Sequence, residues 1–139
     1  MAKRVAEVMT KDPVVVHLGV MLTEAAKIMR DHSIGDVLVT TNGHLCGVLT
    51  DRDIVVRAVA ENRDLRRTTV GDVCSADISA LEPDADAADA AKLMRARAVR
   101  RVPVVDDGEP VGIVSIGDLA IDHDKESLLS DISKAPPNR

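Results

Sequence analysis

The sequence predicts an α/β (α+β) fold that consists of two tandem copies of one unit. Residues 5–55 align with residues 70–120 at a constant offset of 65 without a gap, and thirteen aligned pairs are identical. Each copy has the periodicity of a strand, a helix, two strands and a second helix. The turn dipeptides Asn42-Gly43 and Asp107-Gly108 fall between the two central strands of each copy. Two βαββα units therefore account for the chain except its ends.

The first strand and the first helix of each copy follow from local pattern. Residues 14–16 form a short β-branched run after Pro13, and residues 78–81 take the same place in the second copy. An amphipathic helix follows, because small and apolar residues recur at helical spacing. These residues are Leu22, Ala25, Ala26 and Met29 in one copy and Ala87, Ala90, Ala91 and Met94 in the other.

The second half of each copy is predicted to be a hairpin followed by a helix. Asn-Gly and Asp-Gly adopt positive φ at low cost, so each pair of strands is joined by a tight turn. The strands are residues 36–40 and 45–50 in one copy and 102–105 and 111–115 in the other. A last helix begins near Asp51 and near Ile116. The polar residues 61–69 are predicted to join the copies, and the tail from Asp122 to add a helix as far as about Ser133.

Composition excludes several classes of function. The 139 residues carry a net charge of −5 and include no Phe, Tyr or Trp. This excludes proteins that bind single-stranded nucleic acid by stacking bases on aromatic rings. It also excludes aromatic cages that bind quaternary ammonium groups. Two cysteines without a C-x-x-C pair and the absence of a signal-peptide pattern predict a cytoplasmic protein. No run approaches the ~18 apolar residues of a membrane span.

A polar pattern recurs at the end of the last strand in both copies. It reads glycine, two aliphatic residues, a hydroxyl residue, two further residues, aspartate and an aliphatic residue, in segments 47–54 and 112–119. The Asp can accept hydrogen bonds from the two vicinal hydroxyls of a ribose, while the hydroxyl and the helix start face a phosphate. The same spacing is that of a capping box, in which Thr50 with Asp53, and Ser115 with Asp118, satisfy backbone N–H groups. Spacing alone leaves both interpretations open.

The combined motifs closely resemble the CBS motif, named after cystathionine β-synthase. The resemblance covers residues 5–122 and rests on V-x-x-[VI]-M, E-A-A-x-x-M, h-P-V-V-D and G-h-h-[TS]-x-x-D-h taken together. It implies a pair of βαββα units related by a pseudo-two-fold axis, with repeats at 5–60 and 70–122, a linker at 61–69 and a C-terminal helix and tail at 123–139. It also implies a homodimer that senses an adenosine-containing ligand such as AMP, ADP, ATP or S-adenosylmethionine in clefts between the repeats.

The resemblance assigns roles to particular residues. Asp53 and Asp118 match the ribose-binding aspartate, and Thr50 and Ser115 match the hydroxyl that precedes it. An adenine would lie between aliphatic side chains of the matching cleft walls. These are Val16, Ile34, Val37, Leu81, Val99 and Val102.

The two copies differ in charge at the start of their second strand. The second copy has Arg100-Arg101 where the first has Gly35-Asp36. A guanidinium pairs with a phosphate, whereas a carboxylate repels it. We therefore expect one cleft to bind a phosphorylated adenosine ligand much more tightly than the other.

The sequence also bears on other classes of function. No motif assembles a nucleophile and a base, so we expect no enzyme activity. A protein-interaction module without a ligand remains an alternative, and nucleic-acid binding is a weaker one. The latter would use two arginine clusters, Arg95, Arg97, Arg100 and Arg101, and Arg63, Arg66 and Arg67.

No metal site is expected, because His17, His32 and His44 align with polar residues and lack ligand spacing. Cys46 and Cys74 align with apolar residues and are expected to be buried.

Overall fold

The computed structural model describes residues 3–123 of the chain, in two compact units. We call residues 14–78 the Thr50 unit, and residues 3–13 together with 79–123 the Ser115 unit. Each is named for the hydroxyl residue at the end of its last strand. The predicted tail helix up to Ser133 lies outside the described residues.

The Thr50 unit holds a three-stranded sheet with helices on it. Strand β2 (Val15–His17) runs parallel to β3 (Asp36–Thr41), which pairs antiparallel with β4 (His44–Thr50). Helix α2 (Leu22–His32) connects β2 to β3. After β4 come α3 (Asp51–Asp53), a π-helical segment (Ile54–Val59) and the short helix α4 (Val70–Val73). The core of this unit is formed by Val16, Leu22, Ala25, Met29, Val37, Val39, Leu49, Ala58, Val70 and Val73.

The Ser115 unit repeats this plan with pieces from both ends of the chain. It contains α1 (Val5–Val8), β1 (Thr10–Lys11), α5 (Ala87–Arg97), β5 (Arg101–Asp106), β6 (Glu109–Ser115) and α6 (Ile116–His123). Its sheet has the order β1-β6-β5, with antiparallel neighbours. The core residues are Val5, Ala90, Met94, Val102, Val104 and Val114.

The hairpin turns are as predicted. Asn42 and Gly43 have φ of 52° and 80°, and Asp107 and Gly108 have φ of 52° and 83°. Positive φ at both central residues gives the turn whose twist matches the flanking strands. The predicted helix starts at Asp51 and Ile116 are also confirmed.

The compact units are not the sequence repeats. Helix α1 opens the first repeat but packs in the Ser115 unit, where the amide of Val5 donates to the carbonyl of Ala85 at 2.7 Å. Helix α4 opens the second repeat but belongs to the Thr50 unit, where the amide of Val70 donates to the carbonyl of Val20 at 2.9 Å. The first helix of each repeat therefore completes the core of the other repeat's unit.

One predicted strand is wrong. Residues 78–81 form no strand, and Leu81 alone makes an isolated parallel bridge to Val104. The second copy has Ser79 and Ala80 where the first has Val14 and Val15, and Ser and Ala favour strands less than Val does. Only the position equivalent to Val16 keeps its pairing to the sheet.

Candidate ligand-binding site

The two hydroxyl–aspartate pairs form closed capping boxes. In the Thr50 unit, the Thr50 amide donates to Asp53 Oδ2 and the Asp53 amide donates to Thr50 Oγ1, both at 3.0 Å. In the Ser115 unit, the Ser115 amide donates to Asp118 Oδ2 at 2.9 Å and the Asp118 amide donates to Ser115 Oγ at 3.0 Å. The structural role predicted for these pairs is therefore real, and it engages one oxygen of each carboxylate.

The second carboxylate oxygen has a different neighbour in each unit. Oδ1 of Asp53 lies 3.7 Å from Nε of Arg57, and the Asp53 side chain is 16% exposed. Oδ1 of Asp118 accepts a long hydrogen bond of 3.5 Å from the Thr10 hydroxyl. An ionised carboxylate has about four acceptor positions, so neither arrangement exhausts its capacity for further donors.

Strand pairing fixes which charge lies opposite each hydroxyl. Asp36 is the β3 partner of Thr50, and Arg101 is the β5 partner of Ser115. The loop before each of these residues is held to the start of the last helix, because Asp51 N–H donates to Gly35 and Ile116 N–H donates to Arg100, both at 2.9 Å. The end of β6 is consequently flanked by two exposed arginines, whereas the end of β4 is flanked by a carboxylate.

The predicted wall residues differ in exposure. Val16, Val37 and Val102 are at most 5% exposed and belong to the cores of their units. Ile34 and Leu81 are half-buried. Val99 is 40% exposed, and it precedes the Arg100 carbonyl that binds Ile116.

The sequence did not indicate two residues near the capping boxes, Ile116 in the Ser115 unit and Arg57 in the Thr50 unit. Ile116 is 58% exposed although it is a large aliphatic residue directly after Ser115. Its aligned partner is Asp51, so the repeat comparison gave no apolar signal at this position. Arg57 was missed because an arginine four residues after an aspartate on a helix is a common surface pair.

The two cysteines and the three histidines His17, His32 and His44 are partly or largely exposed. Cys46 and Cys74 are half-buried rather than fully buried, and burial raises the pKa of the Cys74 thiol, with smaller contributions from Cys46 and Asp53. His17, His32 and His44 are exposed. Within residues 3–123, no group of three or more His, Cys, Asp or Glu side chains is arranged to hold a metal ion.

The linker arginines lie among acidic groups. Arg67 Nε lies 3.9 Å from Asp64 Oδ2. Hydrogen bonds from the backbone and side chain of Thr69 lower the pKa of Asp72, and the nearby Arg63 guanidinium lowers it further. These contacts reduce the local excess of positive charge that nucleic-acid binding requires.

In the part of the chain that the structure describes, no helix has the length and apolar character of a membrane span.

Comparison with known proteins identifies the family. The sequence profile of the CBS domain matches residues 5–59 and 70–121, so the chain belongs to the CBS domain family. The CBS domain-containing protein YhcV of Bacillus subtilis is 39% identical over 117 residues, which are 84% of this chain and 83% of YhcV. CBS domain pairs are generally regulatory modules rather than catalytic domains.

Two solved structures share the fold. Hypoxic Response Protein I, whose structure contains two coordinated zinc ions, has a TM-score of 0.80 and 32% identity and covers 86% of this chain and 98% of its own. The CBS domain pair of protein MJ0100, in complex with 5-methylthioadenosine and S-adenosyl-L-methionine, has a TM-score of 0.78 and 27% identity. It covers 91% of this chain and 100% of its own.

Proposed function

We propose that the chain is a regulatory module that binds adenosine-containing ligands, among them a nucleotide, through Asp53 and Asp118, the aspartates of the capping boxes that follow β4 and β6. The observation that carries this proposal is that one oxygen of each carboxylate closes the capping box while the other can accept further hydrogen bonds. Oδ2 of Asp118 closes the capping box, while Oδ1 accepts a long hydrogen bond of 3.5 Å from the Thr10 hydroxyl. A carboxylate that is held in place by its own helix and retains acceptor positions suits the two vicinal hydroxyls of a ribose.

The Ser115 unit is the proposed site for a phosphorylated ligand. Arg101 lies opposite Ser115 across the hairpin, and both Arg100 and Arg101 are exposed. Guanidinium groups form charge-assisted hydrogen bonds with phosphate oxygens. Asp36 occupies the equivalent place in the Thr50 unit. We therefore assign AMP, ADP or ATP to the Ser115 unit and a ligand without phosphate, such as S-adenosylmethionine, to the Thr50 unit.

Exposed aliphatic side chains supply a surface for the adenine. Val99 and Ile116 retain 40% and 58% of their accessible surface, and both flank the backbone of Arg100. Covering such surface with a base gains about 25 cal/mol for each Å² of apolar area removed from water. This mode requires no aromatic residue. The related pair of protein MJ0100, which is bound to methylthioadenosine and S-adenosylmethionine, supports the choice of an adenosine ligand.

The proposed output is a change in affinity for a protein partner. A ligand that binds one arrangement of the module better than another shifts the population toward that arrangement. A protein partner with different affinities for the two arrangements then binds more or less tightly when the ligand is present. Since CBS domain pairs commonly dimerise, we propose that the module acts as a homodimer. Light scattering during size-exclusion chromatography should give about twice the 14.8 kDa chain mass, and a monomer at micromolar concentration would contradict this part.

Differential scanning calorimetry tests ligand binding directly. Intrinsic fluorescence is nearly silent because the chain has no Trp or Tyr. A nucleotide at 100 times its dissociation constant adds about 2.7 kcal/mol to the free energy of unfolding, which is a measurable rise in Tm. AMP, ADP, ATP and S-adenosylmethionine are compared with tripolyphosphate, which carries phosphate without adenosine. A rise with tripolyphosphate equal to that with ATP, or no rise with any compound, contradicts the proposal.

A further inference from the structure

Arg57 connects the Asp53 carboxylate with the end of helix α4. Its Nε lies 3.7 Å from Asp53 Oδ1, and its Nη1 donates to the carbonyl of Val73 at 3.2 Å and approaches that of Cys74 at 3.5 Å. Two nitrogens of one planar guanidinium thus approach two different segments of the Thr50 unit. Lysine has no equivalent fork, because its ammonium is a point charge on a flexible stem.

Arg57 lies in a segment with unusual helix geometry. Arg57 lies in the π-helical segment (Ile54–Val59), where the Ala60 amide donates to the Val55 carbonyl five residues before it. π-Helical turns are rare and occur frequently at functional sites. The segment begins directly after Asp53. The π-helical geometry therefore lies between Asp53, the candidate ligand contact, and Arg57, which pairs with it.

The residue after the two carbonyls that Arg57 contacts pairs with strand β4. Ser75 follows Cys74 and exchanges two backbone hydrogen bonds of 2.9 Å with Val48 of β4. Strand β4 ends at Thr50, the first residue of the capping box. Asp53, Arg57, Val73 and the Ser75–Val48 pair therefore form a continuous set of contacts around the end of β4.

The Ser115 unit provides an internal comparison without this arginine. Thr10 and Ile113 pair there as Ser75 and Val48 do, at the same positions of the repeat. The position equivalent to Arg57 is Asp122. Aspartate carries no guanidinium, so the second repeat lacks the arginine that makes this connection in the Thr50 unit.

We propose that Arg57 is a positioning residue that couples the Asp53 carboxylate to the segment after α4, so that ligand occupancy at Asp53 changes the stability of the Ser75–Val48 pairing. The coupling rests on the proposed function of Asp53, whereas the physical link between Asp53 and Ser75 exists without ligand. A bound nucleoside excludes water from the Asp53–Arg57 pair. The lower local dielectric strengthens that pair and holds the segment more firmly.

Amide hydrogen exchange in a double-mutant cycle tests the link without any ligand. The readout is exchange at Ser75 and Val48 in the full-length protein, measured by NMR and compared with Thr10 and Ile113. Arg57→Gln is expected to accelerate exchange at Ser75 about two- to fivefold, the range that a partly exposed ion pair supports. Asp53→Asn keeps an acceptor for the Thr50 amide but loses the charge, and should have a similar effect.

The double variant decides whether the two residues act together. If they do, Arg57→Gln combined with Asp53→Asn accelerates exchange no more than either change alone. Effects that multiply, or an unchanged Ser75 rate in Arg57→Gln, overturn the link. Arg66→Gln removes the same charge from an exposed linker position and should leave Ser75 unchanged. An equal acceleration at buried Val37 and Val39 would indicate global destabilisation and would also count against a local link.

A ligand arm separates this inference from the proposed function. Saturating S-adenosylmethionine should slow exchange at Ser75 and Val48 in the wild type and in Arg66→Gln, but not in Arg57→Gln that still binds the compound by calorimetry. Equal slowing in Arg57→Gln overturns the coupling. Failure of the wild type to bind S-adenosylmethionine contradicts the proposed function of the Thr50 unit and removes the coupling with it, while the cycle alone then decides the link.

Discussion

Ser75 and Val48 pair across the edge of β4 at the position where Thr10 and Ile113 pair in the other unit. In both units, the pairing brings a residue from the start of one repeat onto the sheet of the other repeat. The carbonyl oxygens of Ser75 and Thr10 then approach strand glycines, Gly47 and Gly112. A glycine identical in both repeats is thereby explained by the close crossing of a second backbone.

Alanine at either glycine should destabilise its unit. A methyl group on Gly47 would lie 2.8 Å from the Ser75 carbonyl oxygen, and one on Gly112 would lie 2.9 Å from that of Thr10. Both distances are too short for contact with a rigid backbone, so the crossing must shift. We expect Gly47→Ala and Gly112→Ala each to lower the free energy of unfolding by about 1–3 kcal/mol in urea titrations. Stability equal to the wild type would contradict the close crossing.

The short helices α1 and α4 should contribute to stability out of proportion to their length. Val5 and Val70 have no exposed surface and belong to the cores of the Ser115 unit and the Thr50 unit. Val5→Ala and Val70→Ala should each cost about 2 kcal/mol, because each removes two buried methyl groups. Val15→Ala, at a position 44% exposed, serves as the control and should cost about 0.5 kcal/mol or less. Losses no larger than that of the control would show that these helices do not complete the cores.

Arg101 should select for phosphate. Arg101→Ala is expected to weaken binding of AMP or ATP about tenfold while leaving S-adenosylmethionine binding nearly unchanged, because only the former ligands carry a phosphate for the guanidinium. Arg95→Ala removes the same charge from the exposed face of α5 and should leave both affinities within about twofold. Equal weakening of all ligands in Arg101→Ala would assign this residue a structural role instead.

The Cys74 thiol should make the free energy of unfolding fall at alkaline pH. Burial raises its pKa above the ordinary value of 9.0, and the Cys46 and Asp53 side chains add to the shift. Its contribution is therefore fully present below pH 9.0 and is lost as pH rises through the raised pKa of the folded state. Urea titrations between about pH 8 and pH 10.5 should show a steeper decline for the wild type than for Cys74→Ala. Identical slopes would contradict the shift.

The local features of the fold were predictable from local sequence. Asn42-Gly43 and Asp107-Gly108 specify tight turns because their residues tolerate positive φ, and the helix starts at Asp51 and Ile116 follow hydroxyl capping residues. The same capping spacing identified the Thr50–Asp53 and Ser115–Asp118 pairs. Their geometry shows that one oxygen serves the cap, which spacing could not reveal.

The exchange of α1 and α4 between repeats was not predictable. A helix of four residues has no measurable periodicity, and its partners lie far away in sequence, as in the bond from Val5 to Ala85. Arg57 was missed for a related reason. Its carbonyl partners, Val73 and Cys74, lie 16 and 17 residues further along the chain. Contacts of this kind depend on tertiary structure and leave no pattern in the sequence.

Isothermal titration of AMP into the wild type, Asp118→Asn and Asp53→Asn tests the central claim most directly. Asparagine retains an acceptor for the capping amide, so both variants should keep their fold, and a thermal midpoint near that of the wild type verifies this. We predict that Asp118→Asn weakens AMP binding about tenfold or more, whereas Asp53→Asn changes it about threefold or less. Undiminished binding to Asp118→Asn would contradict ribose recognition by this carboxylate, and equal losses in the two variants would contradict the assignment of phosphate to the Ser115 unit.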